Sequence, residues 1–397
     1  KSGGGWRKTD RHYPMAMALS FLHSIALFLV TCGDLCLSFG PLLHPRPVVV
    51  VGKIIIDEYG APDQAQDDGS PMASRNVNVG GGGPQAAFGA AAALAILSHD
   101  DQDPPSPQPI TLIGPVGQDD WTEREESELR ATLEPAVRNI HLLKGESLRT
   151  PRIQIWHDKD QSVEWKPLNN SFGPLGAQEL WRGPTASDFL DALVDDEECV
   201  TCHVILEGGA KSPGDGEDSV FLMDPTVRER IKFLGVEPVV FASATTSGRV
   251  EGSDIVSCKS RLDRISPLEF VSPDNLFFRD TDMKCWRGVE VAVRDGPRGS
   301  LVIESDGTKV MRVPAAKLTT VDGKPVNPTG AGNAYAAAFS ACRGSGASII
   351  DSACIATAVG AIVCQFEHLP PWSVSVRSRI REAAIEVSNN VVEEVKG

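Results

Sequence analysis

Four consecutive valines, Val48–Val51, end at Gly52, and Ile54–Ile56 carries the run on to Asp57. An unbroken β-branched run has no polar face, so it suits a strand covered on both sides, as in a parallel sheet. Similar stretches recur at Ile110–Ile113, Ile153–Trp156, Ser162–Trp165, Val204–Leu206, Val220–Met223, Val239–Phe241, Glu269–Val271, Val289–Val293 and Leu301–Glu304. Helix-like sequence alternates with them: an Ala-rich stretch Gln85–Leu97, a charged one Trp121–Leu133, and apolar ones at Asn333–Cys342 and Ser352–Phe366. The alternation predicts an α/β domain, a mainly parallel central sheet with helices on both faces. Residues 60–76, rich in Asp, Gly, Gln, Pro and Ser, and residues 98–109, acidic and Pro-rich, read as loops. No internal repeat and no clean linker follow residue 46, so residues 47–397 read as one domain.

A net charge of −15 argues against nucleic acid or an anionic membrane as the main partner, because both call for a basic footprint. A small anion is still compatible, since a few backbone N–H groups can hold a phosphate inside an acidic protein. Before residue 46, basic residues (Lys1, Arg7, Lys8, Arg11) precede an apolar run from about Met15 to Val30. This segment reads as a signal, a transit segment, a membrane anchor or mis-assigned upstream sequence. A membrane partner follows only if the apolar run is real. The address is cytoplasmic if the segment is an artefact, and organellar or secretory otherwise. Cys199 and Cys202 form a C-x-x-C without a second ligand pair, so they read as small residues opening a strand rather than as a metal site. Cys342, Cys354 and Cys364 read as reduced core residues.

The segment with most chemical content is Asn327-Pro328-Thr329-Gly330-Ala331-Gly332-Asn333, running into Ala334-Tyr335-Ala336-Ala337-Ala338-Phe339. Glycines allow a tight turn and close approach of backbone to a ligand. The helix that follows offers unpaired N–H groups and the positive end of its dipole. Together they form an anion hole for a polyphosphate or for charge developing in phosphoryl transfer. The same glycines also suit a helix packed tightly on a strand, and on their own they do not choose.

This segment resembles the PfkB/ribokinase family, whose signature reads D-T-x-G-A-G-D-x-F. Thr329 to Asn333 match it, with Asn333 where the family has Asp. Other segments resemble family motifs in family order: Gly52 and Asp57 the first-strand G-x-x-x-x-D, and Gly80–Gly83 the glycine motif near substrate. Ile113 to Asp119 resembles G-x-V-G-x-D, Met223-Asp224-Pro225 the D-P-N strand end, and Asp295 to Leu301 the G-x-x-G segment near the nucleotide. Agreement spans about residues 47–368. The run Gly80 to Ala87 and the Asn at position 333 look closer to a fungal side branch of the maintenance-of-killer type.

The resemblance implies a ribokinase-like fold with a small β lid, and ATP with Mg²⁺ as cofactors. Its expected activity is transfer of the ATP γ-phosphate to a hydroxyl of a carbohydrate-like molecule. It implies that Gly330, Ala331 and Gly332 form the anion hole and that Asn333 stands at the base position. Thr329, Gly296, Gly299 and Ala361 would face nucleotide; Asp57, Gly82, Gly83 and Gln85 would face substrate.

Three departures bear on mechanism. Asn has an acceptor oxygen but no useful basicity, so Asn333 orients a hydroxyl without taking its proton. General-base catalysis contributes about 10²–10⁴-fold, whereas phosphoryl transfer leans mainly on positioning and electrostatics. A slow kinase is therefore physically sound. The alternative is a pseudokinase that binds nucleotide or metabolite and acts through a protein partner. The family's N-x-x-E falls at Asp274-Asn275-Leu276-Phe277-Phe278, where Phe replaces the Glu that organises Mg²⁺. Gln85-Ala86-Ala87-Phe88 replaces the substrate-side Asn, which points to an altered or less polar substrate.

Asp57 also reads as a strand-end cap and Asp119 as a helix cap. Lys317 and Arg312 read as solvated charges. Ala358, Ala361, Ile362, Glu367 and His368 lie where the family closes its adenine pocket. Trp156 and Trp165 fall in the lid region.

Overall fold

The computed structural model describes residues 45–59, 76–98, 106–118, 121–145, 150–157, 163–167, 183–193, 200–208, 220–240, 269–273, 288–317 and 327–394. The N-terminal apolar run, Asp119, Cys199 and residues 274–278 lie outside them, as do the side chains of Trp156 and Trp165.

The valine run is β1 (Val48–Val51), and all four residues are buried. It lies in parallel between β4 (Gln108–Gly117) and β8 (Val200–Gly208). Beyond β4 comes β5 (Val137–Gly145); beyond β8 come β9 (Ile231–Val240), β10 (Phe270–Val271) and β11 (Glu290–Arg294), all in parallel. Three antiparallel strands, β12 (Ser300–Ile303), β13 (Val310–Val313) and β14 (Val392–Glu394), complete a ten-stranded sheet. A second, four-stranded sheet holds β2 (Ile55–Tyr59), β3 (Asn76–Gly80), β6 (Arg152–His157) and β7 (Val163–Pro167) in the order β3-β2-β6-β7.

Period-two alternation divides each parallel strand between two layers. Val49, Val51, Cys202, Val204, Leu234 and Val236 pack against Phe189 and Phe221 on one face. These come from α3 (Ala186–Ala192) and the short 3₁₀ turn Val220–Met223 that precedes α4 (Pro225–Arg230). The opposite face carries α1 (Gly82–Leu97) and α5 (Ala331–Gly344), with α6 (Ile349–Val363) and α7 (Val374–Ser388) packed beside them. Phe339 of α5 stacks on Phe270 of β10 with ring centroids 4.2 Å apart. Helix α2 (Glu123–Leu133) begins with a capping box: Glu125 N donates to Thr122 Oγ1 while Thr122 N donates to Glu125 Oε2.

Several boundaries differ from the sequence expectation. The valine strand stops at Val51, and Asp57 sits in the second sheet rather than at the end of the first strand. Val220–Met223 is a 3₁₀ turn, not a strand: Phe221 and Leu222 are buried while Val220 and Met223 are exposed, and a four-residue apolar run fits either form. Asp224 therefore does not end a strand. It caps α4, accepting from Thr226 N at 2.8 Å and Val227 N at 3.4 Å, with Pro225 at the first helical position. The strand expected at Val239–Phe241 begins at Ile231. Helices α3, α4 and α7 and strands β3, β5, β13 and β14 are not among the elements expected from the sequence. α7 is amphipathic, burying Val376, Ile380, Ala384 and Val387 at spacings of four and three.

Candidate active site

Two glycine-rich helix starts meet beyond the C-terminal end of β1. Helix α5 is capped by Gly330, whose φ of 77° is left-handed, and that conformation favours glycine. Thr329 N donates to Asn327 Oδ1 at 3.1 Å, and Ala331 N donates to Pro328 O at 3.2 Å, which closes the turn. Ala334 N reaches Gly330 O at 3.0 Å. Gly332 and Asn333 thus bring the first-turn amides that a helix leaves without an intrahelical acceptor.

The other start belongs to α1. Gly83 N donates to Lys53 O at 2.9 Å, and a methyl on Gly83 would overlap the carbonyl of Gly52. A methyl on Gly82 would lie 3.1 Å from Asn333 Nδ2, and one on Gly330 would fall onto the Gln85 side chain. The structure thereby brings together Gly52, Gly82, Gly83, Gln85, Gly330 and Asn333. Gly80 abuts Asp57, leaving no room for a methyl between them. One residue, Gly81, separates Gly80 from Gly82, so their Cα atoms are about 7 Å apart at most. Asp57 therefore borders the same site from the four-stranded sheet.

Asp57 is buried on β2, and burial pushes its carboxyl up to about 7. Among the described residues no cation offsets that cost.

Sequence reasoning missed the acidic side chain nearest Asn333. Glu237 lies on β9, paired with Ile205 of β8, one residue past the level where β1 ends. In parallel α/β sheets, ligands bind beyond that carboxyl edge. Glu237 is 1% exposed, and its Oε1 accepts from Asn333 Nδ2 at 3.1 Å and from Arg294 Nη1. Its Oε2 lies 3.8 Å from His203 Nε2, while His203 Nδ1 is 2.9 Å from Ser340 Oγ. Burial pushes the Glu237 carboxyl up, but the charge of Arg294, with His203 beside it, outweighs that and holds it below the usual carboxylate range. Arg294 ends β11 and presses against Gly332, where a methyl would overlap its Nη1. The available signal was a Glu inside the otherwise apolar Phe233-Leu234-Gly235-Val236-Glu237-Pro238. A buried strand carries such a residue only with a partner. Glu237-Pro238, not Asp224-Pro225, is the acidic-proline pair on a sheet strand.

Gly296 and Gly299, with φ of 54° and 93°, flank a short 3₁₀ turn after Arg294. Gly299 packs against the backbone of residues 313–315, whereas Gly296 has open space. Ala358 and Ile362 are buried core residues of α6; Ala361 is partly exposed, and Gly360 faces the Ala331 carbonyl. Glu367 O accepts from Asn327 Nδ2 at 3.3 Å, which ties the end of α6 to the glycine loop. Arg312 pairs with Asp295 at 3.4 Å, and Lys317 is an exposed partner of Glu386. Cys202 is buried in β8, and burial pushes its thiol far up, as for an inert core cysteine. Among the described residues no group of three or more His, Cys, Asp or Glu side chains is arranged to hold a metal, and no helix is long and apolar enough to cross a membrane.

The sheet order, the helix layers and the small second sheet define a ribokinase-like α/β fold. Arabidopsis thaliana ribokinase, solved with ribose and ATP, shares it: 15% identity, TM-score 0.53, covering 86% of this chain and 99% of that one. Phosphofructokinase-2 from Escherichia coli, solved with substrates and products, superposes at TM-score 0.55 with 14% identity over 86% and 99% of the chains. Ribokinase from Cryptococcus neoformans var. grubii, solved with ADP, gives 0.52 with 16% identity over 85% and 99%. Residues 286–368 match the pfkB family carbohydrate kinase sequence model, a stretch that carries Arg294, Gly296, Gly299 and Thr329 through Asn333. No curated protein matches the sequence.

Proposed function

We propose that this protein is a PfkB-type kinase that transfers the γ-phosphate of ATP to a hydroxyl of a carbohydrate-like small molecule. The observation that carries the reading is the start of α5. There the left-handed Gly330 opens a helix whose first turn leaves the Gly332 and Asn333 amides without an intrahelical acceptor, with the Arg294 guanidinium against Gly332. Backbone donors, a helix dipole and a fixed cation stabilise charge spreading over a transferring phosphoryl group.

In this reading the substrate hydroxyl oxygen bonds to the γ-phosphorus and the bond to the β–γ bridging oxygen breaks, releasing ADP. Asn333 holds the hydroxyl through its acceptor oxygen. The proton leaves late, onto an oxygen of the transferred group, as a loose transition state allows. Asp57, partly protonated near neutral pH, donates to or accepts from substrate hydroxyls. Mg²⁺ carried by the nucleotide would supply charge neutralisation at its phosphates. Asn333 and the glycine run at Gly80 also support placing the chain in the maintenance-of-killer-type branch.

Thermal melting with and without Mg-ATP, followed by turnover across a panel of sugars and nucleosides, tests the reading. The expected result is stabilisation that grows with the logarithm of nucleotide concentration, with ADP release dependent on one acceptor class. Stabilisation without turnover of any acceptor would point to a nucleotide-binding pseudokinase. No stabilisation and no turnover would overturn both.

A further inference from the structure

Asn333 does not stand alone at the base position. Its Nδ2 donates to Glu237 Oε1 at 3.1 Å, and Glu237 is buried on the strand beneath it. We propose that Glu237 carries the negative charge of this centre and acts through Asn333, so that a carboxylate and an amide on two elements form one unit where the family has a single Asp. The inference deepens the kinase reading and rests on it.

The geometry leaves little choice about residue 333. Glu237 Oε1 needs donors from above, and Asn supplies one. Asp at the same place would set two carboxylates at hydrogen-bond distance, and such a pair holds one proton between them instead of ionising twice. The charge is therefore kept on residue 237 and excluded from residue 333. Donation through Nδ2 also fixes which way the amide lies, leaving Oδ1 as the acceptor for a hydroxyl. Glu237 is thus a positioning residue for Asn333, and through its ion pair it holds Arg294 against Gly332 as well. The groups facing Glu237 are His203 from β8, Arg294 from β11, and Asn333 from α5, whose Ser340 holds the far side of the His203 ring.

The test compares wild type, Asn333→Asp, Glu237→Gln and the double variant Asn333→Asp/Glu237→Gln, in melting temperature from pH 6 to pH 8 and in Mg-ATP turnover. For Asn333→Asp, the shared proton is lost as pH rises, so its melting temperature falls by about 4 °C or more across that range relative to wild type. The double variant restores a carboxylate–amide pair with the roles exchanged, and it regains the lost pH tolerance. If Asn333→Asp does not fold, folding of the double variant is the same rescue; failure of both overturns the proposal. In turnover, Glu237→Gln loses about tenfold or more in kcat with KM for ATP within about threefold, Asn333→Asp falls rather than rises, and the double variant recovers. An Asn333→Asp variant as pH-tolerant as wild type, or a double variant no better than that single one, overturns the coupling. The rescue in stability with no turnover of Mg-ATP by any form leaves the pair as a structural device, and there the kinase reading fails while the coupling holds.

Discussion

Asp57 and Glu237 are both buried carboxylates bordering one site, and their environments push them in opposite directions. Asp57 comes from the four-stranded sheet, with no cation beside it among the described residues, so burial alone acts and favours the neutral form. Glu237 comes from the ten-stranded sheet and faces Arg294 and His203, which more than offset its burial. The first can exchange a proton near neutrality. The second is a fixed charge. Divergent carboxylates of this kind mark distinct roles within one centre.

Removing the cation should break the contrast most strongly. Arg294→Met leaves Glu237 buried without its guanidinium partner, which costs about 3–5 kcal/mol. Because the pairing lowers the Glu237 pKa, its stabilisation is present above the unfolded pKa near 4.3 and fades as pH falls through the folded value. Urea denaturation should therefore show a larger loss at pH 8 than at pH 3.

Asp57→Asn sharpens the contrast from the other side. Between its ordinary value of 3.8 and about 7, the unfolded chain releases a proton that the folded chain keeps. Wild-type stability therefore falls across that window. The variant should gain about 4 kcal/mol at pH 8 relative to wild type and less than about 1 kcal/mol at pH 4, while losing acceptor turnover. A gain that does not vary with pH would show that Asp57 ionises normally.

Gly330→Ala acts on the amide cradle between the two carboxylates. A left-handed alanine costs about 1–2 kcal/mol, and Gln85 must also move. A lower melting temperature is expected, with a weaker Mg-ATP response. Lys317→Ala removes an exposed ion pair with Glu386 and should change stability by less than about 0.5 kcal/mol. It sets the scale for charges that do not belong to the site.

The sequence was informative where a pattern is local. The valine run, the alternation of strands with helices and the Gly330–Gly332 turn each carry their structure within a few residues. Gln85 and Gly82 lie in the first turn of a helix, which sets them beside Gly330 and Asn333. What was illegible depends on partners far apart in the chain. Glu237 meets Asn333 across 96 residues and Arg294 across 57, and no local periodicity reports such a meeting. Asp224-Pro225 misled for the complementary reason: an acidic-proline pair suits a helix N-terminus as well as a strand end. The boundary between the sheets at Gly52–Ile54 was also hidden, because the apolar run resumes at Ile54 directly after Gly52-Lys53.

Along α1, alanines and Gly89 face the backbone of α5 so closely that a methyl on Gly89 would collide with the Ala334 carbonyl. Two helices in such contact cannot slide or tilt past each other without overlap, since interiors resist compression. The glycine starts of α1 and α5 consequently travel as one solid block. Any change in the distance from that block to Asp57 is then expected to come from a shift of the smaller sheet.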